Sequence, residues 1–520
     1  MLRYLRIAIA IVVGALFLYV FTGFSGSEES RFIARISHLQ IVPALIAGFT
    51  VITIAFLILT LLFGRIYCSV LCPLGLLQDL ISRISNMVKK LMKRKKERQG
   101  YYKAHTILRY SVLVATVIGY FAGGSILLLI LDPYSNFGRI ATNLFKPIVL
   151  LINNIGAKLL QMIGSFYLYA VEVDILSVGS FLFSIALLII LIVMVVKRHR
   201  LWCNTICPVG TLLGVISKVS LFKIIIDHSK CTHCKKCVTN CKSHCIDDKN
   251  GYVDHSRCVV CFNCLTQCRT NAVGFKFNPK IVRCKNVDEV VVSQESKEVV
   301  VSQENTKSRR EFIALVATSS VLPIVEKTES KLRLNASRYP MPPGAGSLDE
   351  FQKRCTACKL CVSHCPSHLL RPALFENGIN GFMQPYMSFN VHKFCEYECK
   401  ACIDVCPNHA LQPITLEQKK LTQVGVVHFD IEHCVVKKKN QYCGACAEHC
   451  PTQAVRMIEY ENGLTIPKIN PEICIGCGAC ESICPVRPNA IYVVRNDIQI
   501  TVKPPEIKES EDIKVDDFGF

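Results

Sequence analysis

The sequence predicts an α-helical membrane domain followed by two α+β modules built around metal-binding cysteines. Three observations predict it. Residues 1 to 218 carry apolar runs near the length that crosses a bilayer. Twenty-four of the thirty cysteines fall into six four-cysteine motifs, all beyond residue 230. A polar, self-repeating junction at residues 286 to 307 separates the first two motifs from the last four.

In the membrane domain, residues 1–218, the runs Leu5 to Gly23, Gln40 to Gly64, Ile107 to Leu131 and Leu176 to Val196 read as four spans. Basic residues set their direction. Arg3 and Arg6 precede the first run; Lys89, Lys90, Lys93, Arg94, Lys95, Lys96 and Arg98 follow the second; Lys197, Arg198, His199 and Arg200 follow the fourth. All belong in the cytoplasm by the positive-inside rule. No small-residue cleavage site follows the first run, so it reads as a retained anchor rather than a signal peptide. Asn153, Asn154 and Lys158 interrupt Phe145 to Val171. Spanning there would turn Lys197 to Arg200 outward, so this stretch reads as an amphipathic helix on the outer surface.

The same half holds an internal repeat. Arg65-Ile-Tyr-Cys68-Ser-Val-Leu-Cys72-Pro73-Leu-Gly75 recurs 135 residues on as Arg200-Leu-Trp-Cys203-Asn-Thr-Ile-Cys207-Pro208-Val-Gly210. Cysteines four apart share one helix face, but the proline after each second cysteine opposes a regular helix through both. Four thiols near the inner membrane face suit a further metal centre, a redox dithiol pair or plain packing. Their exact repetition beside the cysteine modules favours a redox role.

Residues 219–285 contain two motifs: Cys231, Cys234, Cys237, Cys241 and Cys258, Cys261, Cys264, Cys268. Each ends C-x2-C-x3-C, the run by which bacterial ferredoxins hold a [4Fe-4S] cluster. Zinc ribbons pair two C-x2-C units across a long gap, and disulfide scaffolds are short, so iron–sulfur is the better reading. Two-cluster ferredoxins exchange their fourth cysteine. One set is then Cys231, Cys234, Cys237 with Cys268, and the other Cys258, Cys261, Cys264 with Cys241. Ala272-Val273-Gly274-Phe275 is a hydrophobic return suited to a short strand. Cys245 and Cys284 lie off the motif spacing; Cys245 reads as packing. His233, His244 and His433 adjoin ligands and read as surface or supporting residues.

The junction, 286–307, repeats Glu-Val-Val-Val-Ser-Gln-Glu from Glu289 and Glu298 and reads as a linker. Residues 308–328 place Arg309-Arg310 before a short apolar segment, which looks like a twin-arginine export signal. Such a route suits a domain that must cross a membrane folded, with its clusters already built. The rival reading is a cytoplasmic helix with a chance arginine pair.

Residues 329–500 carry the other four motifs: Cys355, Cys358, Cys361, Cys365; Cys395, Cys399, Cys402, Cys406; Cys434, Cys443, Cys446, Cys450; and Cys474, Cys477, Cys480, Cys484. The expected cofactors are thus six [4Fe-4S] clusters in two ferredoxin-like modules, one two-cluster and one four-cluster. Lys230, Lys235, Lys236, Lys242, Arg257 and Arg269 flank the first pair; Lys353, Arg354, Lys359, Lys400 and Lys437 to Lys439 flank the later motifs. Cations beside a cluster ease its reduction, while the bland alternative is a solvated basic surface. The net charge of +20 comes without a nucleic-acid motif. Residues 501–520 form a charged tail that reads as disordered.

The Cys-x3-Cys-Pro pairs after membrane helices, followed by a two-cluster ferredoxin, resemble the NapH-type membrane ferredoxins over roughly residues 40 to 275. The twin arginines, Met341-Pro-Pro-Gly-Ala345 and four motifs resemble the NapG-type periplasmic ferredoxins, so the chain looks like a fusion of the two. The wide Cys434-x8-Cys443 gap resembles four-cluster subunits of bacterial oxidoreductases. That resemblance implies Cys355, Cys358, Cys361 with Cys484; Cys474, Cys477, Cys480 with Cys365; Cys395, Cys399, Cys402 with Cys450; and Cys434, Cys443, Cys446 with Cys406.

These readings imply a multi-pass electron carrier of the bacterial inner membrane, with its C-terminal module in the periplasm. Its expected partners are membrane lipid, the quinol pool or a cytoplasmic donor, and a periplasmic reductase. The alternative is a maturation factor that reduces a metal ion, such as copper, or a cofactor for another enzyme. A redox sensor is a third reading, for which six clusters are excessive. No nucleotide loop, Ser/His/Asp arrangement or haem Cys-x2-Cys-His marks a bond-making catalyst.

Overall fold

The computed structural model describes residues 2–22, 28–92, 100–173, 177–247, 251–278, 339–389 and 391–505. The linker repeat, Arg309 and Arg310 with their apolar segment, Cys284 and the tail from 506 lie outside the described residues.

The first domain comprises α1 (Leu2–Thr22), α2 (Glu28–Ala34), α3 (Ile41–Ile46), α4 (Thr50–Phe63), α5 (Tyr67–Val70), α6 (Pro73–Leu91), α7 (Thr106–Phe121), α8 (Ile126–Leu131), α9 (Pro133–Ile140), α10 (Lys146–Met162), α11 (Val178–Lys197), α12 (Leu201–Thr205) and α13 (Pro208–Ser217). Outward faces of the long helices are apolar: Val51, Ile54 and Ile58 on α4, and Val114, Val117 and Ile118 on α7, are exposed. Such a surface suits lipid rather than water.

Among the described residues three helices are long and apolar enough to cross a membrane: Leu2–Thr22, Pro133–Met162 and Val178–Lys197. The first and third are expected spans. The other two expected spans are interrupted. Gln40 to Gly64 breaks at Gly48, whose φ of +77° leaves the helical region, and α4 then starts at Thr50. Ile107 to Leu131 breaks at Gly123, with φ +88°, between α7 and α8. Glycine adopts this backbone without steric cost, which is why each break falls on one. Phe145 to Met162 of the expected surface stretch form the later part of a 30-residue apolar helix from Pro133, with a π turn at Ala141–Phe145; Arg139 and Lys146 on this helix meet the third domain.

Both Cys-x3-Cys-Pro copies fold alike. A short helix, α5 or α12, ends before the second cysteine. Cys72 and Cys207 are extended, with ψ of 113° and 116°. Pro73 and Pro208 then start α6 and α13, where the missing N–H costs no helical hydrogen bond.

In the second domain β1 (Phe222–Ile226) pairs antiparallel with β4 (Val273–Phe277), Ile226 opposite Val273, so the hydrophobic return forms the expected strand. Between them lie a small hairpin, β2 (Ile246–Asp247) with β3 (Tyr252–Val253), and helices α14 (Lys236–Thr239) and α15 (Asn263–Gln267), packed together. The third domain pairs β5 (Leu370–Pro372) with β6 (Pro385–Met387), β7 (Thr422–Phe429) with β10 (Ile491–Thr501), and β8 (Val455–Glu459) with β9 (Thr465–Ile469). Its helices pack in sequential pairs, Leu360–His364 on Ala401–Asp404 and Ala445–Glu448 on Ala479–Ile483.

The two cysteine modules lie at opposite ends of the helix bundle, and four helices run between them. Near the start of α1, Arg3 donates to Thr266; α1 also packs on the helix Leu360–His364 of the third domain. Phe49 ahead of α4 packs on His409, and Leu61 near the end of α4 accepts from Leu221 N. Arg109 on α7 donates to Ser256, while Ser125 at the start of α8 donates to Asn380 O. Gly179 on α11 faces Leu374, and Arg200 just past its end meets Asp79, which also binds Lys242.

Candidate functional site

The cysteine motifs share a backbone stamp. Residues immediately before and after the second cysteine adopt the left-handed conformation in four of them: His233 and Lys235, Val260 and Phe262, Ala357 and Lys359, Gly476 and Gly478. The third residue past the fourth cysteine is left-handed at His244, Asn271, His368, His409 and Gln453. Non-glycine residues rarely hold this conformation, so its recurrence reflects a demand of the loop. Successive right- and left-handed residues turn backbone N–H groups into one concavity, a cradle for anions and for iron–sulfur centres. Leu411 N, for example, donates to Cys406 Sγ at 3.4 Å.

Each short helix carries the third cysteine of its motif and delivers the fourth at its end. Because these helices pack in sequential pairs, the fourth cysteine lands in the neighbouring loop. Cys231, Cys234, Cys237 and Cys268 line one cavity. Cys241 faces Cys261 and Cys264, beside Cys258. These are the two groupings expected of an exchanging two-cluster module.

The four-motif module groups differently from the expectation. Cys355, Cys358 and Cys361 share a cavity with Cys406, not Cys484. Cys395, Cys399 and Cys402 share one with Cys365, not Cys450. Cys434, Cys443 and Cys446 share one with Cys484, not Cys406. Cys450, not Cys365, faces Cys474, Cys477 and Cys480. Sequential helix pairing decides this. Helix Leu360–His364 lies on Ala401–Asp404, so motifs three and four exchange fourth cysteines, and five and six do likewise.

These sites fit a thiolate-bound cluster. Every cysteine among the described residues is a free thiol. Burial pushes the Cys358 and Cys477 thiols up to about 12 and the Cys395 and Cys474 thiols up to about 11. Such thiols stay protonated at neutral pH unless a metal displaces the proton. Among the described residues no three His, Cys, Asp or Glu side chains converge tightly enough for a single ion. Four thiols around one cavity, as at Cys231, Cys234, Cys237 and Cys268, are the donor set of a thiolate-bound cluster.

Part of the expected basic flank is paired. Lys242 binds Asp79, Arg257 binds Asp254, Arg354 binds Glu350, Lys400 binds Asp404 and Lys437 binds Glu432. Lys359 is buried and reaches Ser180 of the bundle. His433 binds Asp430, and His244 lies buried beside Gly100 O. Cys245 does more than pack: its thiol lies 3.6 Å from Cys241 Sγ. Only its position four residues past a ligand could have signalled this.

The four repeat thiols lie in the bundle between the modules. Cys68, Cys72 and Cys207 share one continuous core with Cys261 of the first module and Cys358 of the second. Cys203 accepts from Gln78 Nε2 at 3.3 Å. Sequence reasoning missed Gln78, Asp79 and the aromatic run that continues from the thiols. Tyr67 is bonded to Gln40 at 2.7 Å, and Tyr134 packs on Phe17 and Phe21.

Free cysteines stamped into six anion-cradling loops, on two small α+β modules, define a ferredoxin-type iron–sulfur protein. Comparison with known proteins agrees. The family described as "4Fe-4S binding domain" matches residues 45–99 and 180–226, and two families described as "4Fe-4S dicluster domain" match 354–411 and 394–454 with 439–487. The putative electron transport protein YccM of Escherichia coli K12 is 28% identical over 215 residues, 40% of this chain and 49% of its own length. The ferredoxin-type protein NapH of Haemophilus influenzae is 25% identical over 34% of this chain and 47% of its own. The methylamine utilization ferredoxin-type protein MauM of Methylobacillus flagellatus is 30% identical over 31% of this chain and 70% of its own. The chain belongs to this ferredoxin-type iron–sulfur family. It spans about half the length of YccM and NapH. No solved structure matches it.

Proposed function

We propose that this protein is a membrane-bound electron carrier with six [4Fe-4S] clusters, held by the six cysteine groupings that the helix pairs create. Electrons enter from quinol or a soluble donor at the two-cluster, cytoplasmic end. They leave through the four-cluster module to a reductase on the periplasmic side. The observation that carries this reading is the placement of two cysteine modules at opposite ends of one helix bundle, with buried thiols in the core between them. The basic ends Lys89–Lys90 and Lys197–Arg200 support a cytoplasmic setting for the first module. Arg309 and Arg310 support export of the second.

Clusters, when bound, supply one-electron storage at each site. The chain's own residues do the rest: N–H donors into the sulfurs favour the added negative charge, and burial excludes water from the sites. A periplasmic reporter fused after Phe520 tests the sidedness. It should be active in the unaltered chain and silent with Arg309→Lys and Arg310→Lys together. A reporter silent in the unaltered chain overturns the transmembrane route.

A further inference from the structure

The seam between the helix bundle and the four-cluster module carries buried cations without matching carboxylates. Arg139 is fully buried; its Nε donates to Ala357 O and its Nη2 to Thr356 O, both at 3.3 Å. Lys146 is buried and donates from Nζ to Ser363 O at 2.6 Å. Lys359 is buried against Ser180 Oγ. Among the described residues the only buried carboxylates are Asp132 and Glu481. Glu481 lies elsewhere, bonded to Val493 N. Asp132 alone serves the seam, and it accepts from Ser135 N and Oγ.

Arg139 and Lys146 against one carboxylate leave an excess of positive charge in a buried interface. Burying unpaired charge is costly, so an anion belongs here. The nearest candidate is the cradle of Cys355, Cys358, Cys361 and Cys406. Arg139 grips its loop at the two residues between Cys355 and Cys358. The contact is close, for a β-carbon on Gly138 would lie 2.2 Å from Cys358 O. An iron–sulfur core with four thiolates is a net anion, and each electron it accepts adds one negative charge.

We propose that Arg139 is a positioning residue for this cluster: the bundle holds its loop and supplies fixed positive charge that raises its reduction potential. The cluster facing the bundle thereby becomes the favoured landing site for an electron leaving the membrane domain. The inference rests on the cluster assignment proposed above. By linkage the same contacts act in reverse, so cluster loading tightens docking of the module onto the bundle.

The test uses the full chain, cluster-loaded, in detergent. Arg139→Met, Arg139→Gln, Arg139→Lys and Lys146→Gln are compared by iron content per chain and by redox titration followed by electron paramagnetic resonance. Arg139→Met should lower the reduced-to-oxidised ratio of one cluster at least tenfold at fixed potential, about 59 mV for one electron. Lys146→Gln, beside Cys365 of the neighbouring cavity, should leave that cluster in place and shift a different one, and Arg139→Lys should restore most of the Arg139→Met shift. Unchanged potentials with full iron content overturn the inference and leave the cluster assignment standing. Absence of iron–sulfur signals in the unaltered chain overturns the assignment itself. If Arg139→Met loses iron, Arg139→Gln decides alone: full iron with no shift overturns the proposal.

Discussion

Arg200 donates from Nη1 to the carbonyl oxygen of Cys68 at 2.9 Å, across 132 residues of chain. The repeat answers in kind, because Arg65 Nη2 donates to Cys203 O at 3.1 Å. Each copy of the motif therefore caps the other. The two short helices that carry the thiols end on carbonyls that need donors, and the partner's guanidinium provides them. This exchange explains why arginine recurs three residues before the first cysteine in both copies.

Gly75 and Gly210 follow from the same exchange. A β-carbon at Gly75 would lie 2.5 Å from Cys68 O and 2.7 Å from Arg200 Nη1; at Gly210 it would lie 2.3 Å from Cys203 O and 2.8 Å from Arg65 Nη2. Gly75→Ala and Gly210→Ala should each destabilise by about 1–3 kcal/mol through overpacking. Thermal denaturation in detergent should show it. The double variant should fall short of the sum, since the sites share one arginine exchange.

Asp79 is the counter-ion at the end of the bundle that meets the first cysteine module. Its carboxylate lies 2.8 Å from Arg200 Nη2, 2.8 Å from Lys242 Nζ and 3.7 Å from Arg6 Nη1. It thus ties α6, α1 and the region past α11 to the two-cluster module. Asp79→Asn would leave three cations facing one another, at a cost of roughly 3–5 kcal/mol. The expected outcome is a lower melting temperature and faster loss of the two-cluster module's iron under chelator. The four-cluster module should keep its iron, because its own seam is untouched.

How much of this was legible varies with the range of the interaction. Cysteine spacing revealed all six motifs because three ligands of each lie within one local loop. The offset between Cys68 and Cys203 revealed the repeat for the same reason, and Val273 was readable as a strand from its apolar neighbours. The fourth ligand was not readable in the last four motifs. Whether Cys406 joins Cys358 or Cys446 depends on which short helices pack together, a tertiary choice that spacing leaves open. The helix breaks at Gly48 and Gly123 hid inside apolar runs where glycine is common. Nothing local in the sequence marks Arg139 and Lys146, whose contacts to Thr356, Ala357 and Ser363 cross more than 200 residues of chain.

His255 makes the two-cluster module acid-sensitive. Burial, then the nearby Lys223 charge, lowers its imidazole to about 4, against an ordinary value near 6.5. Between those values the unfolded chain binds a proton that the folded chain refuses. Stability should therefore be full above about pH 6.5 and fall as pH drops toward 4. His255→Gln should flatten that part of the profile, read as iron release from the module between pH 7 and pH 4.5. An unchanged slope would show that other groups set the acid limit.

Sequential exchange of fourth cysteines makes the sharpest demand. If helix pairing assigns the ligands, Cys406→Ser perturbs the same cluster as Cys358→Ser, and Cys484→Ser the same cluster as Cys446→Ser. The signals removed by Cys406→Ser and Cys358→Ser in electron paramagnetic resonance should coincide, and the double variant should lose nothing further. The combination Cys406→Ser with Cys446→Ser should remove two distinct signals. Under the outer-with-outer arrangement the outcomes reverse: Cys484→Ser would coincide with Cys358→Ser, and Cys406→Ser with Cys446→Ser. The left-handed turn at Ala357 is also held by Arg139 Nε on Ala357 O, a contact that cysteine-to-serine exchange leaves in place. The spectra of the four single variants therefore distinguish the two pairings directly.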